Sequence, residues 1–177
     1  MAAAQIRQLV PGDAAAFQTL RLHALRECPE AFGSTFAEEE ILSLDVIAER
    51  LTPARRPVGR ATFGAFVNET LVGITGCVQE AKTKARHKAI VWGMYVVPEQ
   101  RGRGIARRLL EAIILEARSW PDVERLTLTV VERAAAARQL YRAMGFQPFG
   151  RELDGLRQEG VGDTVEYMSL SLRDASR

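Results

Sequence analysis

One unit of this sequence restricts the possible folds more than any other. The run AIVWGMYVV, Ala89 to Val97, is rich in β-branched and aromatic residues and stops at Pro98. After PEQRGRGIA comes RRLLEAIILEARSW, where Leu109, Leu110, Ile113, Ile114 and Ala117 recur at helical spacing. RLTLTVV then reads as a strand with Leu126, Leu128 and Val130 on one face. A strand, a helix and a second strand in that order form a right-handed crossover, and the two strands lie parallel. Trp92 and Met94 stand two apart on the first strand and are expected to share a face of the core.

The rest of the chain has to be built around that crossover. QIRQLV alternates as a short strand and ends at Pro11, Gly12 and Asp13. Asp13 is placed to cap a helix carrying Phe17, Leu20, Leu22 and Leu25, which closes near Cys28 and Pro29. Thr35 followed by Glu38 has the form of a capping box. LSLDVIAERL is a second helical segment, and PARRPVGR after it is a polar connector. ATFGAFV and LVGITGCVQ, separated by NET, read as a hairpin. RAAAARQLYRAM is a helix of high propensity that Gly145 ends, and FQPFG and TVEYMSLSL add two strands. The order β-α-α-β-β-β-α-β-α-β-β argues a mixed sheet with helices on both faces, in a single domain over residues 1–177.

Composition excludes several functions. With 47% hydrophobic and 26% charged residues the chain is no disordered polymer. A formal net charge of +2 is too slight to argue for nucleic acid or an acidic membrane surface. Cys28 and Cys77 are far apart and have no CxxC partner, so no metal or redox motif is expected. The stretch MAAAQIRQLV lacks the pattern of a signal peptide, and no apolar run has the length of a membrane span. A cytoplasmic enzyme or binding protein is the expectation.

Chemistry concentrates where the crossover turns. Gly102 and Gly104 sit between Arg101, Arg103 and Arg107 at the mouth of a helix. A helix start leaves backbone N–H groups unpaired and its dipole attracts anions. Glycine lets an anion come close and arginine adds charge, so the turn fits a phosphate or pyrophosphate. A plain turn with solvated arginines is the simpler reading. A nucleotide P-loop needs Gly-Lys-Ser/Thr, which is absent. A dinucleotide fingerprint would need a third glycine, although Glu132 follows the next strand, so a nucleotide-dependent oxidoreductase stays among the alternatives.

VVPEQRGRGIARRLL resembles the acyl-CoA motif of the GCN5-related N-acetyltransferases, Gln/Arg-x-x-Gly-x-Gly/Ala, through Arg101, Gly104 and Ala106. AARQLYRAMGF is similar to the second signature of that family, filled by Ala137, Leu140, Tyr141, Gly145 and Phe146. The segment RLHALRECPEAFGSTFAEEE resembles the variable front of one bacterial branch. The resemblance implies a mostly antiparallel mixed sheet of about seven strands, splayed between the fourth and the fifth, with acetyl-CoA in the opening. It implies pyrophosphate on the amides of Arg101, Gly102, Arg103, Gly104, Ile105 and Ala106, and a pantetheine arm paired with Tyr95, Val96 and Val97 like an added strand. A main-chain N–H near Val96 would polarise the acetyl carbonyl. A primary amine of a small molecule or peptide would attack directly, and Tyr141 would protonate the departing thiolate. Ala137 would line the cofactor site. So would Ala134, which stands where the family often has Asn.

Where some members keep a strand carboxylate, this chain has Ile90. Those two departures keep a second implication open, an acyl-CoA-binding regulatory module with little catalysis. Dimers are frequent among relatives, so a homodimer is compatible with the resemblance. Glu38, Glu39 and Glu40 could face a cationic acceptor or simply favour a helix start. His23 and His87 show no partner in the sequence, and the basic loop Ala81 to Lys88 reads as solvated. Arg103, being in the loop, is expected to meet phosphate sooner than Arg107 or Arg108.

Overall fold

The computed structural model describes residues 3–54 and 57–173. Arg55 and Arg56 of the polar connector, with Met1 and Ala2 of the first stretch, lie outside the described residues. Strand β1 (Gln5–Gln8) leads through a tight turn at Pro11–Asp13 into helix α1 (Ala14–Glu27). Helices α2 (Phe36–Glu40) and α3 (Leu44–Leu51) follow, then strands β2 (Arg60–Val67), β3 (Thr70–Gln79) and β4 (Lys88–Val96). Helix α4 (Ile105–Arg118), strand β5 (Arg125–Val131), helix α5 (Ala135–Ala143) and strands β6 (Gln147–Gln158) and β7 (Val161–Ser171) complete the chain.

All seven strands form one sheet in the order β1-β2-β3-β4-β5-β7-β6. Among the described residues only β4 and β5 run parallel, as the crossover requires. Helix α1 and helix α3 cover one face, where Phe17, Leu20, Leu25, Ile47 and Leu51 pack on Leu71, Ile74 and Tyr95. Helix α4 covers the other through Ile105, Leu109, Leu110, Ile113 and Ala117, all buried. Each such leucine or isoleucine contributes roughly 1.5–3 kcal/mol by leaving water, so this face alone holds the crossover helix down. Helix α5 lies on the α4 side with Tyr141 against Phe146.

Local signals explain most of the boundaries. Thr35 Oγ1 accepts the Glu38 N–H at 3.3 Å and Glu38 Oε2 accepts the Thr35 N–H at 2.7 Å, the reciprocal pair the sequence predicts. Gly145 takes a left-handed φ of 92° after α5. Asp13 departs from expectation. It precedes α1 but forms no side-chain cap, because the Pro11–Asp13 turn feeds directly into the helix. Its carboxylate instead accepts from Arg7 at 2.7 and 2.8 Å and from the Val10 N–H at 2.9 Å.

A second departure shapes the site. Gly76 pairs with Trp92 and Ile74 with Tyr95, so Gly93 and Met94 together oppose the single Thr75. Gly93 has a φ of 68°, which makes this a glycine bulge. One extra residue reverses the alternation beyond it. Trp92 packs edge-on against Phe17 on the α1 side, at a centroid distance of 6.4 Å. Met94 packs on the α4 side, so the two do not share a face. The same bulge bends β4. Its rungs to β5 are Lys88–Arg125, Ala89–Leu126 and Ile90–Thr127, and past them the strands diverge.

Candidate active site

The divergence of β4 and β5 opens a cleft of about 660 Å³ on the α4 and α5 side. Its floor is the last part of β4. Val97 donates its N–H to the Val72 carbonyl of β3 at 2.9 Å. Adjacent strand residues turn their pairing groups to opposite edges, so those of Val96 face the cleft. The Val96 carbonyl accepts from Arg101 Nε at 2.8 Å.

The turn itself has the conformation its residues demand. Gly102 and Gly104 both adopt φ of 73°, and apart from their chain neighbours nothing among the described residues lies within 4 Å of a Cβ placed on either. Their glycines therefore answer to backbone conformation and open approach, not to crowding by the protein. Gly104 is the N-cap of α4 and provides no side-chain cap. The first helical bond runs from Arg108 N–H to the Gly104 carbonyl at 3.1 Å, so the N–H groups of Ile105, Ala106 and Arg107 have no helical acceptor. Arg101 is pinned from both sides, to the Val96 carbonyl and, through Nη2, to Glu27 Oε1 at 2.9 Å.

Of the residues expected here, Tyr95, Val96, Arg101, Gly102, Gly104, Ile105, Ala106, Ala134 and Ala137 line the cleft. Val97, Arg103 and Tyr141 are not among the lining residues. Arg103 hydrogen-bonds Gln100 Oε1 at 3.0 Å, while Arg107, on the first turn of α4, lines the cleft. Arg108 points away and donates to the Ala4 carbonyl at 2.7 Å. Opposite the turn, Ala134 to Ala137 and Leu140 make an apolar wall. Tyr141 lies behind that wall, 7% exposed, and burial pushes its phenol up to about 12.

Two residues at the cleft carried no legible signal. Glu27, at the end of α1, accepts from the Tyr95 hydroxyl and from Arg101, with His23 Nε2 3.8 Å away. Burial pushes its carboxyl up, but the bonds from Tyr95 and Arg101 outweigh that and hold it below the ordinary carboxylate range. It anchors Arg101. Cys28 lines the cleft half-buried, and burial together with the neighbouring Glu27 charge raises its thiol. A thiol held protonated is a poor nucleophile.

A second cavity of about 590 Å³ lies next to the cleft. The two share Ala31 and Phe32, but this one is lined by Ile90 to Gly93 of β4 and Thr129 of β5 rather than by the strand ends. Arg21, Glu39, Arg50 and Arg60 supply its charge. The three successive glutamates thus part company. Glu38 closes the capping box, Glu39 is buried against arginines, and Glu40 is exposed. The basic loop lies at the opposite end of β4 from the turn, roughly 25 Å away at 3.3 Å per residue.

Comparison with known proteins agrees with this architecture. The family model described as acetyltransferase (GNAT) family matches residues 20–146. An acetyltransferase of the GNAT family from Streptococcus pneumoniae superposes with a TM-score of 0.82 at 24% identity, over 96% of this chain and 99% of that one. The yncA protein from Salmonella typhimurium, in a structure with its cofactor acetyl-CoA, gives 0.83 at 20% identity over 99% and 97%. A ribosomal-protein-alanine N-acetyltransferase from Brucella melitensis gives 0.80 at 24% identity over 94% and 99%. At these identities the structural likenesses speak for the fold.

Proposed function

The chain belongs to the acetyltransferase (GNAT) family, and on that premise we propose that it is a cytoplasmic enzyme transferring the acetyl group of acetyl-CoA to a primary amine of a small molecule or peptide. The observation that carries the reading is the coincidence of two features in one cleft. The parallel strands part past the Ile90–Thr127 rung, and the uncapped start of α4 opens into the same space.

The chemistry of the lining residues suits this donor part by part. Pyrophosphate rests on the amides of the turn from Gly102 to Ala106, favoured by the helix dipole and by the Arg101 and Arg107 side chains; the Arg101 N–H, also expected here, is instead donated to the Pro98 carbonyl at 3.1 Å. The pantetheine arm lies along the cleft-facing groups of Val96, with Ala134 to Ala137 as its apolar opposite wall. The Asn frequent at position 134 in the family is not needed for a wall that works by contact.

The acceptor's neutral nitrogen attacks the thioester carbon. A C–N bond forms, the C–S bond breaks, and the sulfur leaves with the electron pair. The nitrogen gives up its extra proton to water, the thiolate gains one from an acid, and that acid is reprotonated from water. Tyr141 is the acid we assign. A phenol raised to about 12 by burial keeps its proton at neutral pH, and it reaches a thiolate in the cleft once the side chains in front of it part. The raised Cys28 thiol favours direct attack over an acyl-enzyme.

Tyr141→Phe tests the assignment. Loss of a positioned general acid lowers kcat by about 10²–10⁴ while the calorimetric Kd for acetyl-CoA stays put. Turnover equal to that of the parent chain would remove Tyr141 from the mechanism. Failure of acetyl-CoA to bind at all would remove the whole reading.

A further inference from the structure

We propose that the second cavity receives the acceptor and that the acceptor is a small amino acid whose carboxylate is gripped by Arg21. The inference rests on the acetyltransferase reading and adds the substrate class. Arg21 is 5% exposed, on the buried face of α1. Taking a guanidinium out of water costs several kcal/mol unless its charge and donors are matched. Within the chain they are not. Its Nη2 stands 3.6 Å from Glu39 Oε1, beyond a good hydrogen bond, and the other Glu39 oxygen is taken by Arg50 Nη1 at 2.8 Å. The Phe32 ring lies 4.6 Å from Arg21 Cζ. Buried Nε and Nη1 have no hydrogen-bond partner among the described residues.

An ion pair that served packing alone would give Glu39 to Arg21 through two short bonds. Here the carboxylate is shared, and two buried donors of the guanidinium are left unused under the wall of a cavity that Arg21 lines, where a ligand reaches them by displacing that wall. Unused buried donors are costly and rare, and a planar fork of N–H groups matches one ligand chemistry best, a carboxylate.

Position supports the same ligand. Arg21 Nη1 lies 3.8 Å from where a Cβ of Gly93 would stand, so the guanidinium sits over the bulge that parts β4 from β5. A carboxylate held there leaves an α-amine two bonds from the carboxyl carbon, within a cavity that shares Ala31 and Phe32 with the donor cleft. Arg50 and Arg60 outnumber the remaining carboxylate, Glu39, so the wall disfavours polycationic acceptors. Trp92 and Ile90 offer apolar surface to an amino-acid side chain. The volume suits a small molecule.

The test compares the twenty L-amino acids with their carboxamides, a pair differing only in the group Arg21 would hold. Binding is followed by calorimetry on free and CoA-saturated protein, and acetylation by CoA release. The expected result is at least one acid that binds and is acetylated with kcat/KM on the order of 100-fold above its amide. Arg21→Met should collapse that ratio to near one, mainly through KM, with acetyl-CoA affinity unchanged. Arg21→Lys should recover part of it, since charge remains but the fork is lost.

A structural role for Arg21 would lower acid and amide alike and leave the ratio intact, which would overturn the proposal. So would amides that match their acids, or a full panel of acids that neither bind nor react while acetyl-CoA binds. Acids that bind while acetyl-CoA does not would instead sink the donor reading and leave the carboxylate site standing.

Discussion

The two cavities that meet at the parting of β4 and β5 are built in opposite ways. The donor cleft is made of backbone, with two glycines at φ of 73°, an uncapped helix start and a strand edge. Its charged members are partly exposed, and Arg101 is fastened to Val96 and Glu27. The neighbouring cavity is made of side chains, and its principal cation is buried with unused donors. Backbone amides ask nothing of the unfolded chain and cost little when no ligand is bound. A buried guanidinium costs stability continuously. The lesson is that the donor side is preorganised cheaply, while the second side stores an unmet demand that a ligand can satisfy.

Substitutions can break that contrast. The largest effect is expected from Glu39→Gln, which leaves Arg21 without its carboxylate. Removing one partner of a buried pair costs about 3–5 kcal/mol, read as a lower urea midpoint at unchanged m-value. If the loss stayed near that of an exposed cap, about 1 kcal/mol, the buried pair would not be under load. Gly104→Val is expected to act on the donor side instead. A β-branched residue at φ of 73° costs about 1–2 kcal/mol and reseats the amides, yet its Cβ meets no described neighbour within 4 Å. Acetyl-CoA affinity should fall about tenfold or more while the cooperative fold is kept.

The smallest effect is the alkaline limb of stability. Tyr141 ionises near 12 in the folded chain against 10.0 unfolded. A raised value means its stabilisation is whole below pH 10 and is lost as pH rises toward 12. Tyr95 and Cys77, also raised first by burial, add to the same loss. Tyr141→Phe should flatten part of that slope in denaturant titrations and change nothing near pH 7. An unchanged slope would mean the phenol is solvated after all.

How much could be seen in the sequence follows the same division. The glycine-arginine turn, the capping box at Thr35 and the crossover strands are written in contiguous residues, and the structure keeps them. Gly93 was different. A glycine inside a strand is compatible with ordinary pairing, and only the register against Thr75 reveals the bulge that puts Trp92 and Met94 on different faces. Arg21 and Glu39 read as an interior helical arginine and one acid of three, because their meeting depends on how α1 and α2 pack. Glu27 was hidden for the same reason, since its partners Tyr95 and Arg101 lie far along the chain. The β6–β7 hairpin extends to Gln158 and Val161, well past FQPFG; its outer half, with mostly exposed polar and charged residues, carries no apolar alternation for the sequence to show.

Amide chemical-shift mapping during an acetyl-CoA titration tests the central claim most directly. The account predicts early, saturable shifts at Val96 and at Gly102, Arg103, Gly104, Ile105 and Ala106, with Arg21 and Trp92 left nearly unmoved. Shifts centred on the Arg21 cavity, or none at the turn while acetyl-CoA saturates, would contradict it.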